Sequence, residues 1–124
     1  MKKHRAAQRI HGVISTFLQR YYPPTQTHML ISVMEVDLAP DGTNAKVFLS
    51  FLPIGVDDRK AEPAVQRIFQ LIVDEKDEIK RQIVIQLGKA IRRIPELSFK
   101  RDQSARKASR VTQILNSEFS ARES

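Results

Sequence analysis

The sequence predicts a small α+β domain, and three features carry that expectation. Near the start, Ile10, Val13, Ile14, Phe17, Leu18 and Tyr21 recur at helical spacing, the stripe of a helix packed on a core. Two alternating stretches flank Ala39-Pro40-Asp41-Gly42-Thr43, which has the chemistry of a turn. Further on, a helical pattern runs to Ile94 and is stopped by Pro95, which lacks an amide hydrogen and biases its predecessor away from helix. Leu97 and Phe99 then alternate with Glu96, Ser98 and Lys100 as a strand with one buried face.

Taken in order, the first helix covers about residues 4–22 and ends at Pro23-Pro24. A strand follows over 29–38. Its inward parity switches between Ile31 and Val33 on one side and Val36 and Leu38 on the other. A β-bulge near Met34-Glu35 explains that switch, as does a strand covered on both faces. Ala45, Val47, Leu49 and Phe51 mark a second strand, halted by Pro53 and paired antiparallel with the first. Pro63 suits the first turn of a second helix with Val65, Ile68, Phe69 and Ile72 inward. After the acidic run 74–78, a third helix places Ile79, Ile83, Leu87, Ala90, Ile91 and Ile94 on one side. Beyond the strand at 96–101, Asp102 or Ser104 caps a last helix striped by Ala108, Val111, Leu115 and Phe119. One domain is expected over 1–124, with a core of about 5–116 and a frayed tail of about 117–124. Tyr21 and Tyr22 are expected to pack on the hairpin.

Charge says more than composition. The net charge is +7, but residues 1–20 hold five Lys/Arg and no acid, and residues 89–110 hold eight against two. Residues 35–78 hold five against ten Asp/Glu. Positive charge at both ends of the chain with a negative middle is the footprint of a polyanion binder once the ends meet in space. The absence of cysteine excludes disulfides and thiolate chemistry and fits a reducing cytoplasm. No apolar run reaches membrane-spanning length. His4, His11 and His28 are scattered without carboxylates at ligand spacing, and no phosphate-binding glycine loop or nucleophile motif is present. Neither a metal, a cofactor nor an enzymatic step is expected.

The phosphate-contact candidates are Arg5, Arg9, Lys89, Arg92, Arg93, Lys100, Arg101, Arg106, Lys107 and Arg110, with Lys46 on the second face of the hairpin. Arg5, Arg9 and Arg20 fall within about 60° of one another on the first helix at about 100° per residue. A competing role exists for Arg92, which could pair with Glu96. Phe51, Phe69 and Phe99 fall on core periodicities, so Phe48 is the one aromatic placed to stack a base.

Specific words then accumulate: Ile31-Ser32-Val33 with Val36, Pro40-Asp41, Ala45-Lys46-Val47-Phe48-Leu49-Ser50, Ile79-Lys80, Arg92, and Pro95-Glu96-Leu97-Ser98-Phe99 with Asp102 and Ser104. In this order, over residues 5–116, the chain resembles ribosome-binding factor A. The resemblance implies a type II KH-like domain, a three-stranded sheet packed on helices with a C-terminal helix. It also implies a non-enzymatic maturation factor, active in the cytoplasm and most needed in the cold. Such a factor binds 16S ribosomal RNA in the late immature small ribosomal subunit and assists processing of the RNA's 5′ end. A monomer is expected.

One departure bears on mechanism. KH domains bring backbone amides to phosphate at a Gly-x-x-Gly turn, often Ala-x-Gly in this family, whereas the equivalent stretch here is Glu75-Lys76-Asp77. Two carboxylates repel phosphate, by about 1 kcal/mol per pair at 4 Å in water. The basic helix faces and the helix–strand junction therefore take over RNA contact. Two other functions compete: a generic KH-like binder of single-stranded RNA, and a protein–protein adaptor working through the acidic middle.

Overall fold

The computed structural model describes residues 2–55 and 57–102. Its elements are α1 (Lys2–Tyr21), the single turn α2 (Pro24–Thr27), β1 (Met29–Leu38), β2 (Asn44–Pro53), α3 (Asp58–Asp74), α4 (Lys76–Leu87) and β3 (Glu96–Arg101). Apart from the extra turn α2, this is the order expected of a type II KH-like domain. The last helix expected beyond Ser104, with its stripe and the tail at 117–124, lies outside the described residues.

The three strands form one sheet in the order β1-β2-β3. β1 and β2 are an antiparallel hairpin, as the turn residues require, and Gly42 takes a positive φ of 76° there. Register slips between Val33 and Glu35, so Met34 is the extra residue of a bulge. That bulge resolves the parity switch: Met29, Val33 and Leu38 are all buried on the helix side. β3 runs parallel to β2, which is possible because the α3–α4 crossover returns the chain to the starting end.

The three long described helices, α1, α3 and α4, pack on one face. Ile10, Val13, Ile14, Phe17 and Leu18 of α1 meet Val47 and Leu49 of β2, Ile72 of α3, Ile79 and Ile83 of α4, and Leu97 and Phe99 of β3 in one core. His11 adds a polar tie, its Nε2 lying 2.8 Å from the Val33 carbonyl oxygen beside the bulge. Tyr22 packs at the margin of this core. Tyr21 departs from expectation. It is 53% exposed and rests on Phe17 (centroids 4.7 Å apart) with the Arg20 guanidinium 5.7 Å from its ring, because the chain turns away at Pro23 before the ring reaches the hairpin.

Two helix boundaries also differ from expectation. α3 begins at Asp58, capped by the Asp57 carboxylate accepting from the Arg59 amide at 3.1 Å, so Pro63 lies inside the helix rather than in its first turn. α4 stops at Leu87 instead of reaching Ile94. Gly88 disfavours a helix interior by about 1 kcal/mol. The amides of Ala90 and Ile91 both turn back onto the Leu87 carbonyl, at 2.8 and 3.0 Å. Ile91 and Ile94 still reach the core, but from a loop.

Ion pairs fasten β3 to the helices. Lys80 of α4 holds Glu96 at the start of the strand. Arg101 at its end grips Glu62 of α3 with both terminal nitrogens, at 2.5 and 3.1 Å. Arg101 is on the inward parity of Leu97 and Phe99, which is why it meets α3.

Two stability outcomes follow. Pro63→Ala restores an amide that can bond the Arg59 carbonyl, and should raise the unfolding free energy by about 1–2 kcal/mol. Unchanged or lower stability in urea would show that the proline is not strained. Arg101→Ala should lower it by about 1 kcal/mol, since the bond is bidentate but its acidic partner is half exposed.

Candidate nucleic-acid interface

Because the α1 stripe is pinned to the sheet, Arg5 and Arg9 project beside it at the helix's N-terminal end, where the hairpin turn lies. Arg92 and Arg93 arrive from the loop after α4. The four arginines rim one groove of about 770 Å³, with Ala6, Leu38, Ala39, Pro40, Ala90 and Ile91 among its walls. All four side chains are exposed. Residues more than 80 positions apart in the chain are thus brought together, as a shared polyanion surface requires.

The loop carrying Arg92 and Arg93 is tethered at several points. Pro95 is buried, and the Glu96 amide donates to the Thr43 carbonyl at 2.9 Å, tying the loop to the hairpin turn. Glu96 is engaged by Lys80, not by Arg92 as the sequence suggested, which leaves the Arg92 guanidinium on the groove rim. Arg93 runs beside Gly42, whose missing Cβ would sit 3.8 Å from the Arg93 Cβ. Asp41 is here too. Its Oδ1 accepts from the Thr43 hydroxyl at 2.6 Å and the Thr43 amide at 3.0 Å. The Thr43 hydroxyl, then its amide, hold the Asp41 carboxyl below its ordinary range, and Arg93 adds to that.

The remaining candidates are placed elsewhere. Lys89 is exposed in the turn leading to the groove wall at Ala90. Lys46 and Lys100 are exposed on the opposite face of the sheet, which no helix among the described residues covers, where Lys46 faces Asp37 across the strands and Lys100 faces Phe48. Phe48 is half buried on that same face. Arg101, expected at the interface, is held by Glu62 with only 17% of its side chain exposed. Alternation along β3 already separates Lys100 from Arg101, and that signal could have removed Arg101 from the set. Arg106, Lys107 and Arg110 lie outside the described residues. Sequence reasoning missed the hairpin turn as the second wall of the groove, since nothing local links residues 40–42 to 90–93.

The acidic junction sits at the other end of α1. Burial, then Glu75 and Asp74, raise the Tyr22 hydroxyl above its ordinary range, which places these carboxylates beside the helix's C-terminal end. Seventeen residues separate Tyr22 from Arg5, roughly 25 Å at helical rise. That is about three Debye lengths at physiological salt, so the acids do not neutralise the groove. The expected turn is itself a helix kink at Glu75, whose amide bonds back to Leu71 and Ile72 at 3.1 and 3.0 Å instead of facing outward. Among the described residues, no cluster of three His, Asp or Glu side chains could hold a metal ion, and no helix is long and apolar enough to cross a membrane.

Comparison with known proteins agrees with this architecture. The chain is 29% identical over 116 residues to ribosome-binding factor A of Chlorobium phaeovibrioides, covering 94% of this chain and 90% of that protein. It is 31% identical over 113 residues to the protein of the same name from Caldicellulosiruptor saccharolyticus, covering 90% and 78%. The crystal structure of ribosome-binding factor A from Thermus thermophilus superposes with a TM-score of 0.55 at 16% identity, covering 80% of this chain and 94% of that one, a likeness of fold. The family model described as ribosome-binding factor A matches residues 2–115, and with the fold and relatives in agreement, the chain belongs to the ribosome-binding factor A family.

Proposed function

We propose that this chain is a ribosome maturation factor that binds the immature small subunit and docks on its 16S ribosomal RNA through the arginine groove. The observation that carries the reading is the meeting of Arg5 and Arg9 with Arg92 and Arg93 at one groove, with the acids at the far end of α1. The groove is arginine-rich, and guanidinium suits phosphate because its planar fork bonds two oxygens at once. Lys89 extends the positive rim. The role is to bind and hold, not to catalyse: the rigid module occupies an immature RNA arrangement while the 5′ end is processed. Arg101 is left out of this surface, and Lys46 and Lys100 belong to the other face.

The experiment is co-sedimentation with small subunits over a salt series, using Arg9→Glu/Arg92→Glu. Each phosphate contact contributes about 0.7–0.9 to the log–log salt slope, so the double variant should lose about 1.5 units of slope and at least tenfold in affinity. Retention of wild-type binding by that variant would overturn the groove as the docking surface. Glu75→Ala/Asp77→Ala should leave subunit binding within about twofold of wild type, because these acids sit outside the RNA surface. A sharp loss there would restore the KH turn as the clamp.

A further inference from the structure

Among the described residues lining the groove, Asp41 is the one acid, sharing that lining with four arginines, Arg93 beside it, where a phosphate receptor gains nothing from negative charge. The two hydrogen bonds of the turn do not require that charge, although Arg93 beside it favours it. Asp41 serves the turn by accepting through Oδ1 from the Thr43 amide and hydroxyl, and a neutral asparagine accepts the same two bonds. Nor is the carboxylate remote from the ligand path. It shares the turn with Gly42, against which the stem of Arg93 lies, so a phosphate held by Arg93 passes close to it. A phosphate about 4 Å from a carboxylate is repelled even in water. The acid therefore weakens the grip on any bare polyanion, and only a ligand that brings a hydrogen-bond donor alongside its phosphates recovers the loss.

Ribonucleotides carry such a donor on every sugar. The 2′-hydroxyl is the group by which a protein tells RNA from DNA. Resting on the reading that this groove holds RNA, we infer that Asp41 is a selectivity residue that accepts a hydrogen bond from a ribose 2′-hydroxyl while the surrounding arginines take the phosphates. A carboxylate makes the stronger, charge-assisted form of that bond. Selection is by contrast: ribose is accepted, while deoxyribose, or a polyphosphate without sugar, meets uncompensated repulsion.

The test compares a ten-nucleotide oligoadenylate in three forms, RNA, 2′-O-methyl RNA and DNA, against the wild type and Asp41→Asn by fluorescence anisotropy at fixed low salt. The methylated strand keeps the bases and an RNA-like sugar but has lost the donor. The wild type should bind RNA about fivefold or more tightly than either other strand. Asp41→Asn should tighten DNA and methylated RNA by about fivefold, the repulsion removed, and bring the preference below about twofold. Its thermal midpoint should match the wild type, showing the turn intact. The inference falls if the wild type binds RNA and its 2′-O-methyl form equally or binds none of the three. It also falls if Asp41→Asn keeps the preference or weakens all three alike. Any of these with normal subunit binding removes the role of Asp41 alone, whereas wild-type binding by Arg9→Glu/Arg92→Glu removes the groove reading beneath it.

Discussion

The packing of α1 against the sheet is the constraint on which the rest of the structure depends. Five buried side chains, Ile10, Val13, Ile14, Phe17 and Leu18, fix the rotation of the helix about its axis. At about 1.5–3 kcal/mol for each side chain removed from water, that face outweighs any single ion pair on the surface. Once the rotation is set, Arg5 and Arg9 have no choice of direction. They stand beside the buried stripe and over the end of the hairpin. The arginine groove is thus a by-product of core packing, and a change that rotates α1 would disperse it without touching an arginine.

The groove is also held from its other side. Loops are ordinarily the mobile part of a domain, yet residues 88–95 are tied down along their length. Ile91 and Ile94 are anchored in the core, Pro95 is buried, and the Glu96 amide is bonded to the hairpin turn. Lys80 secures Glu96 from α4. A surface prepared before its ligand arrives loses less conformational freedom on binding, which favours affinity at a given number of contacts.

Much of this was legible in the sequence, and the misses share a cause. The α1 stripe, the turn at 39–43 and the alternation in three strands are local patterns, and each yielded the right element. The parity switch between Val33 and Val36 was visible too, but it fitted a strand covered on both faces as well as the bulge at Met34 that the register shows. The end of α4 was not, because Ile91 and Ile94 serve the core from a loop while sitting at helix-compatible spacing. Pro63 misled because Asp57 caps the helix earlier than a proline at its first turn would allow. Arg101 was placed with Lys100 although alternation along β3 turns it inward, and its partner, Glu62, lies 39 positions away with no local signature. Charge segregation was legible, but its convergence at one groove needed the fold. The contribution of Pro40–Gly42 to that groove had no local signature at all.

The distance between the arginine rim and the acids around Tyr22 has a kinetic side. The arginine rim stands at one end of α1, and Glu75 and Asp74 stand at the other, where Arg20 offsets part of their charge. On the proposal that the groove docks on RNA, this uneven charge favours approach to a large polyanion with the arginine end leading. Such steering quickens capture and fades with added salt. On that same proposal, Glu75, at the position where a KH domain keeps its glycine turn, helps to aim the protein from behind.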